Sequence, residues 1–242
     1  MSYFESRLPL NFDDFNDIQN RLNFCERLGI KNLILESQGK IVPLNLKKKI
    51  KIETKINIFY RINLRIDSVD EITFQLKKFD KISDILSIES INKKVQLYAA
   101  KDSRVDIISF SDTKILKSLT PGVISLTKQN NSFIEFSLAP IMESNKVLQS
   151  KNFRILYRFI HLANKLKANY IISGNFVDIY DFRHPRALIS VCHTLLEIPL
   201  LSLKKIFIEN PKIILEKVRD RNIEKLEDKM KIVKGGIKYG QK

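Results

Sequence analysis

The sequence predicts an α/β fold, arranged as a TIM-like (β/α) barrel in a single domain. Three observations lead to this prediction. Seven short apolar runs recur at roughly thirty-residue intervals, a helix-like stretch follows each run in turn, and the runs are apolar on both faces. Strands that are buried on both faces belong to parallel sheets covered by helices, and seven or eight strand-helix units favour a barrel over an open sheet.

The strand predictions rest on β-branched and aromatic residues in runs of strand length. The longest run alternates, which places Arg61 and Arg65 on one face of a strand. Guanidinium groups inside a barrel or at its rim need a partner, either a carboxylate or a phosphate. The seven predicted strands are Tyr3–Phe4, Asn32–Glu36, Ile56–Ile66, Ile82–Ile88, Val105–Phe110, Phe133–Ala139 and Asn169–Ser173.

The helix predictions rest on apolar residues spaced three to four positions apart and on proline at first turns. The lysine-rich stretch Lys47–Lys55 has two interpretations, a solvated surface or a contact with nucleic acid. The predicted helices are Phe12–Leu28, Val69–Phe79, Asn92–Asp102, Asp112–Leu119, Pro121–Gln129, Phe153–Leu166, Pro185–Leu196, Leu203–Phe207 and Pro211–Val218.

The domain prediction places the barrel at residues 1–218 and a basic, mobile tail at residues 219–242. The last stretch of the tail, 231–242, contains adjacent glycines and no periodicity. No apolar run reaches the ~18–20 residues of a membrane helix, and no secretory signal precedes the first strand. Cys25 and Cys192 are far apart and are predicted to lie in the core, which fits a reducing, cytoplasmic compartment.

Positive charge is the strongest compositional signal. The 242 residues carry 42 Lys+Arg against 27 Asp+Glu, a formal net charge of +15. Three segments, 45–65, 151–203 and 204–242, supply the whole excess. Such an excess favours a surface that neutralises phosphates, because each contact releases condensed counterions, over an enzyme that acts on small metabolites.

Motifs for independent catalysis are missing from the sequence. Seven glycines form neither a dinucleotide-binding loop nor a P-loop, and no nucleophile-elbow motif is present. Of the three histidines, His161 and His193 are predicted to be structural residues of helices. His184, with Asp178, could belong to a metal-dependent phosphoesterase site only with further ligands, and the aspartate is expected to cap a helix.

The segment Gly174–Arg186 follows the seventh predicted strand, at the barrel end where functional groups lie. Arg183 and Arg186 flank the start of a helix, and the guanidinium fork and helix N-terminus both suit a phosphate. Arg183 has a second possible role, in which it pairs with Asp181 or another nearby carboxylate and orders the loop. A barrel that binds acidic proteins remains a third functional hypothesis.

Six local sequence fragments, in this order, resemble the protein component three family of archaeal ribonuclease P, from the first strand to about residue 218. The fragments are Cys25–Gly29, Asp102–Ile108, Phe133–Leu138, Ile172–Gly174, Phe182–Arg186 and Ile208–Leu215. The resemblance implies a barrel related to the polymerase-and-histidinol-phosphatase hydrolases but without their metal ligands. Asn175 and Phe176 depart from the small residues that are commoner in the family at this point.

The resemblance also implies a function. This chain would belong to the ribonucleoprotein that removes the 5′ leader of precursor tRNA, with the chemistry performed by the RNA subunit and its Mg²⁺. It would bind no cofactor itself, and it would partner the ribonuclease P RNA, precursor tRNA, a small ferredoxin-like subunit and other ribonuclease P proteins. Basic residues are expected to gather on one side of the barrel. The expected RNA-binding residues are Arg104, Arg183 and Arg186 from the family pattern, with Lys128, Arg65 and Lys114 from charge and placement.

Overall fold

Seven parallel strands form one sheet that curves into a nearly closed barrel. The computed structural model describes residues 3–80 and 82–236, with 224–236 described by their backbone alone. Each strand pairs in parallel with the next in chain order, which confirms the TIM-like barrel prediction. The strands are β1 (Phe4–Pro9), β2 (Asn32–Gln38), β3 (Asn57–Arg65), β4 (Ile85–Glu89), β5 (Ile107–Phe110), β6 (Phe133–Ser137) and β7 (Tyr170–Ser173).

Helices connect the strands and cover the barrel. Most begin at a side-chain cap, as at Ser68, Asn92 and Thr120, whose oxygens accept a hydrogen bond from a first-turn amide. They are α1 (Phe15–Arg27), α2 (Leu44–Glu53), α3 (Val69–Lys78), α4 (Lys93–Lys101), α5 (Thr113–Leu116), α6 (Pro121–Gln129), α7 (Lys146–Lys165), α8 (Pro185–Thr194), α9 (Leu200–Lys204) and α10 (Asn210–Gly236).

The barrel interior is apolar at the amino-terminal ends of the strands. Buried residues of five strands pack there, and Ile214 and Val218 of α10 close this end. The strand residues in this layer are Ile34, Ile85, Ile107, Phe133 and Ile171. Because side chains alternate along a strand, the inward-facing positions that follow lie nearer the carboxyl-terminal ends. Those positions are polar, and they contain the candidate site.

Several predicted elements differ from the structure. Strand β4 begins at Ile85 instead of Ile82, and α9 is Leu200–Lys204 instead of Leu203–Phe207. The first strand extends to Pro9, and α2 occupies part of the stretch for which no helix was predicted. Helix α7 begins at Lys146, two turns before the predicted start. The helix predicted to end at Val218 continues to Gly236 as α10, so the predicted division at residue 218 does not coincide with the end of an element. Residues 237–242 of the predicted mobile tail lie outside the described residues.

Within the described part of the chain, no helix combines the length and the hydropathy needed to cross a lipid bilayer.

Candidate functional site

Two fully buried arginines fill the polar half of the barrel interior. Arg7 and Arg61 are 1% and 0% exposed, and three glutamates surround them. Arg7 forms ion pairs with Glu36 at 2.7 Å and Glu89 at 3.0 Å. Arg61 forms an ion pair with Glu135 at 2.6 Å. We call these five residues the interior charge cluster.

Buried hydroxyl groups add hydrogen bonds to the cluster, although Nη1 of Arg61 and Oε1 of Glu135 have no hydrogen-bond partner within the described residues. Arg7 donates to Ser109 Oγ at 2.7 Å, and Arg61 donates through Nε to Ser87 Oγ at 2.8 Å. Asn63 donates to Glu89 at 3.2 Å. Buried charges are tolerated when they are paired and hydrogen-bonded in this way, and removing one partner is strongly destabilising.

A local irregularity in β1 helps to place Arg7. The register between β1 and β2 shifts between Glu5 and Leu8, and Arg7 lies within this shift. Bulges of this kind redirect side chains. Its partner Glu36 comes from the middle of β2, where it lies opposite Arg61 of β3.

The arginines control the ionisation of the cluster. Burial alone would raise the pKa of Glu135, but the Arg61 and Arg7 guanidinium groups lower it to about 2. Burial raises the pKa of Glu36 above its usual value, and Arg61 and Arg7 only partly offset this. Burial acts to lower the pKa of Arg7, whereas Glu135, Glu36 and Glu89 shift it above its usual value. Arg7 therefore stays cationic, and both arginines engage the carboxylates that line the interior.

Glu5 lies beside the cluster, where β1 and β7 meet. Strands β1 and β7 are in contact, but no strand pairing joins them within the described residues. Glu5 accepts hydrogen bonds from the amides of Gly174 at 2.9 Å and Arg7 at 3.3 Å. Burial raises the pKa of Glu5 to about 7, although these hydrogen bonds act in the opposite direction.

Four of the six predicted RNA-binding residues lie towards the carboxyl-terminal ends of the strands. Arg65 ends β3 and pairs with Glu89 at 3.0 Å while its side chain is 67% exposed. Lys114 is exposed on α5, directly after β5. Arg183 and Arg186 are exposed in the segment that follows β7. This is the face where TIM barrels place their functional groups.

The other two predicted RNA-binding residues lie towards the amino-terminal ends of the strands. Arg104 lies three residues before the start of β5, and Lys128 is exposed in the last turn of α6, before β6. Arg104 is held by Asp102 at 2.7 Å and by the Leu76 carbonyl at 3.2 Å. The six residues therefore divide between the two ends of the barrel, and as a set they do not form one cluster.

The loop after β7 is ordered by hydrogen bonds to its own backbone. Arg183 donates to the carbonyls of Tyr180 at 2.6 Å and Phe182 at 2.9 Å, rather than to Asp181 as one hypothesis held. Asp178 accepts from the Tyr180 amide, which confirms that it is a cap. His184 caps α8 by accepting from the Arg186 amide at 3.1 Å. These roles do not bring His184 and Asp178 together as metal ligands.

The remaining histidines and the cysteines have structural surroundings, as predicted. His161 packs on the Tyr157 ring with centroids 4.1 Å apart, and Nδ1 of His193 lies 2.9 Å from the Ile198 carbonyl oxygen. Cys25 and Cys192 are fully buried, and burial raises the pKa of each thiol to about 12. No group of three or more metal-ligating side chains occurs in the part of the chain that the structure describes.

The sequence analysis found Arg61 but missed most of the interior charge cluster. The available signal was one glutamate at an inward position in each of three apolar strands: Glu36 in β2, Glu89 at the end of β4 and Glu135 in β6. Each alone reads as a solvent-facing position of an alternating strand. Only the closure of the barrel brings them together.

Solved structures with the same fold include one ribonucleoprotein and several hydrolases. A chain of archaeal ribonuclease P with mature tRNA, solved by cryo-electron microscopy, has 16% identity and a TM-score of 0.69 over 89% of this chain and 90% of that one. A lactonase from Listeria monocytogenes has 10% identity and a TM-score of 0.54, over 88% and 94%. An organophosphorus hydrolase mutant from Deinococcus radiodurans has 7% identity and a TM-score of 0.51, over 88% and 93%.

Sequence comparison distinguishes a ribonuclease P subunit from a barrel hydrolase. No curated protein sequence matches this chain significantly. The family model described as RNase P subunit p30 matches residues 3–223, which is almost the whole described chain. This match agrees with the ribonuclease P resemblance and does not favour the phosphoesterase alternative. The chain belongs to the ribonuclease P subunit p30 family, and it is a protein subunit of ribonuclease P.

Proposed function

We propose that this chain binds RNA as a rigid basic scaffold within ribonuclease P and does not itself cleave the phosphodiester bond. The observation that carries the proposal is the interior charge cluster. At the position where a barrel hydrolase needs free carboxylates, Glu36, Glu89 and Glu135 are engaged by Arg7 and Arg61. The cleavage of precursor tRNA is then the work of the RNA subunit.

The argument against a hydrolytic centre is chemical. A catalytic metal needs several ligands that converge on one point and leave a coordination position open for water. Two buried guanidinium groups engage the three carboxylates at that point, so their oxygens are less available to a divalent cation. Arg65 adds a third cation at the rim, through its ion pair with Glu89. We therefore propose that this chain holds no metal and that Mg²⁺ is used by the RNA subunit.

RNA binding is supported by the free cations on the surface. At the carboxyl-terminal end, Lys114 and Arg186 have exposed side chains that form no ion pair within the described residues. Arg183 donates two hydrogen bonds to backbone carbonyls and forms no ion pair with a carboxylate within the described residues. The ribonuclease P RNA and precursor tRNA are the partners that we propose, and the similar archaeal chain comes from a complex with mature tRNA.

We also propose protein partners, among them a small ferredoxin-like subunit and other ribonuclease P proteins. Two neighbouring apolar side chains are exposed on α9: Leu200 is 59% exposed and Leu201 is 86% exposed. Exposed apolar groups that lie near one another are typical of protein contacts. This proposal depends on the family resemblance, and the exposed residues are compatible with it.

Reconstitution tests the proposed function. The full chain is added to or omitted from a mixture of the cognate RNA, the other protein subunits and precursor tRNA, and 5′ leader removal is followed across a Mg²⁺ titration. We expect the chain to raise the cleavage rate and lower the Mg²⁺ concentration required, because it offsets phosphate repulsion. An unchanged rate and Mg²⁺ requirement on addition of the folded chain would contradict the proposal.

A further inference from the structure

A basic groove crosses the amino-terminal end of the barrel, between α2 and α10. Lys48, Lys51 and Lys55 line the α2 side, and Lys212 and Arg219 line the α10 side. Two adjoining cavities, of 560 and 530 Å³, make up the groove. The first part of β3 (Ile58, Phe59 and Tyr60) lines both cavities, and we call these residues the β3 floor. Because side chains alternate along a strand, Phe59 faces the barrel interior beside Phe4, whereas Tyr60 faces α2 beneath Lys47. We call this surface the basal groove.

The groove exists because β3 is longer than its neighbour β4. Residues Asn57–Tyr60 pair with β2, whereas pairing with β4 begins only at Arg61. The first part of β3 therefore has one edge without a strand partner in the described chain. Ile58, Phe59 and Tyr60 are only half-buried at this edge, so apolar and aromatic surface is open to a ligand.

The charges in the groove are unbalanced. The lining contains six cations and two carboxylates, Asp84 and Glu216. Asp84 is already bound by Lys47 at 2.6 Å, and Lys47 also lies 4.5 Å from the centre of the Tyr60 ring. The remaining five cations are Lys48, Lys51, Lys55, Lys212 and Arg219.

Three of these cations have no partner among the described residues. Lys48, Lys51 and Lys212 are exposed and form no ion pair or side-chain hydrogen bond within the described residues. Helix α2 carries four lysines and only one acidic residue, Glu53 at its last position. Lysines clustered in this way repel one another, and an anionic ligand would relieve the repulsion.

We propose that the basal groove binds a single-stranded segment of RNA, with phosphates at the lysines of α2 and bases against the β3 floor. This inference rests on the proposed function and adds a surface that the sequence analysis left unassigned. The combination of a cationic track with aromatic rings is what single-stranded nucleic acid requires, because each base presents a π-face. A duplex keeps its bases stacked inside and would leave the floor uncovered.

The floor also favours RNA over an acidic protein segment. Carboxylates of an acidic peptide would be satisfied by the lysines alone and would not need Phe59 and Tyr60. Unpaired bases use both features, since stacking on an aromatic ring contributes about 1–3 kcal/mol per base.

Charge reversal in the full-length chain tests the inference. The variant is Lys48→Glu/Lys51→Glu, and the matched control is Lys93→Glu/Lys94→Glu on α4, whose lysines are also exposed. The probe is a fluorescein-labelled oligouridylate of about 12 nucleotides, and binding is measured by anisotropy across a salt titration. Circular dichroism and thermal unfolding check that both variants are folded.

We expect the α2 variant to lose roughly 25-fold in affinity at about 0.1 M salt, with a salt slope lower by about 1.4, because two single-strand phosphate contacts are lost. We expect the α4 control to lose less than about threefold, through general charge alone. Oligouridylate containing 4-thiouridine should cross-link to peptides from 44–60 and 212–219. Polyphosphate and polyglutamate of equal charge should compete more weakly than unlabelled oligouridylate.

Contrary outcomes are distinct. Equal losses in the two variants, or cross-links only elsewhere, would show that α2 is a solvated surface and would overturn the inference while leaving the proposed function standing. Equal competition by polyglutamate would make the groove an acidic-peptide site and would likewise overturn it. If the unmodified chain binds no RNA and has no effect in reconstitution, the proposed function itself fails.

Discussion

The carboxylate of Glu5 accepts a hydrogen bond from the amide of Gly174 at 2.9 Å, although the two residues are 169 positions apart. Glu5 lies on β1 and Gly174 directly follows β7, so this bond joins the first and last strands of the barrel. No strand pairing spans the same gap in the described chain. One buried carboxyl group therefore contributes to closing the barrel, and its ionisation should matter.

The stability of the fold should depend on pH through Glu5. Burial raises its pKa to about 7, so the folded chain holds this proton more tightly than the unfolded chain. The contribution of Glu5 is most favourable below about pH 4.5, declines as the pH rises through about 7, and is then constant. Glu5→Gln should remove this decline, as measured by urea unfolding at several pH values. A variant of the exposed Glu143, Glu143→Gln, should keep it, and an identical decline in both variants would count against the assignment.

The same junction should not accept a side chain at position 174. A Cβ at Gly174 would lie 2.5 Å from Cε2 of Phe176 and 2.9 Å from Oε2 of Glu5. Both neighbours are buried, so Gly174→Ala should lower the free energy of unfolding by about 1–3 kcal/mol. The control is Gly122→Ala in α6, where the nearest atom is at an ordinary 3.6 Å. A helix gains up to about 1 kcal/mol from this exchange, and equal thermal shifts in the two variants would contradict the prediction.

Removing one arginine of the interior charge cluster should be costly. Arg61→Met leaves Glu135 buried without its 2.6 Å partner, and the free energy of unfolding should fall by roughly 3–5 kcal/mol. Arg65→Met removes a pair in which the arginine is 67% exposed, and the loss should stay below about 1 kcal/mol. Denaturant titration compares the two. Comparable losses would mean that the buried pairing does not stabilise the barrel as described.

Replacing Arg186 should affect RNA binding alone, whereas replacing Arg104 should also affect the stability of the fold. Arg186 is exposed and forms no ion pair in the described chain, so Arg186→Ala should leave the melting temperature unchanged and reduce the salt slope of RNA binding by about one. Arg104 is bound to Asp102 at 2.7 Å and to the Leu76 carbonyl, so Arg104→Ala should also lower the melting temperature. Anisotropy and thermal unfolding measure the two effects. A destabilised Arg186→Ala would refute the first part.

The sequence predicts most of the strands well because they are short, mainly apolar runs, as in Asn32–Glu36 and Phe133–Ala139, whereas the polar residues of β1 obscure its extent. It fails at α2, which lacks a side-chain cap and buries only Ile50, so no apolar stripe marks it as a helix. The first two turns of α7 were missed although Asn145 caps them, because Val147 is 77% exposed and Leu148 is 45% exposed and no buried apolar stripe marks this part of the helix.

The interior charge cluster was beyond the reach of local patterns. Arg7 and Glu89 are 82 positions apart, and Arg61 and Glu135 are 74 apart. Period-two alternation places a residue on a face, but it does not say whether that face is solvent or a closed interior. The missing information is the radius of the barrel, which depends on all seven strands together.

The central claim is that this chain supplies charge and shape while RNA performs the cleavage. The most direct measurement incubates the nuclease-treated, RNA-free full chain with precursor tRNA and Mg²⁺, Mn²⁺ or Zn²⁺. We predict no cleavage above background with any of these ions, because Arg7 and Arg61 engage the interior carboxylates. Metal-dependent 5′ leader removal by the protein alone, abolished in a folded Glu135→Gln variant, would contradict the account.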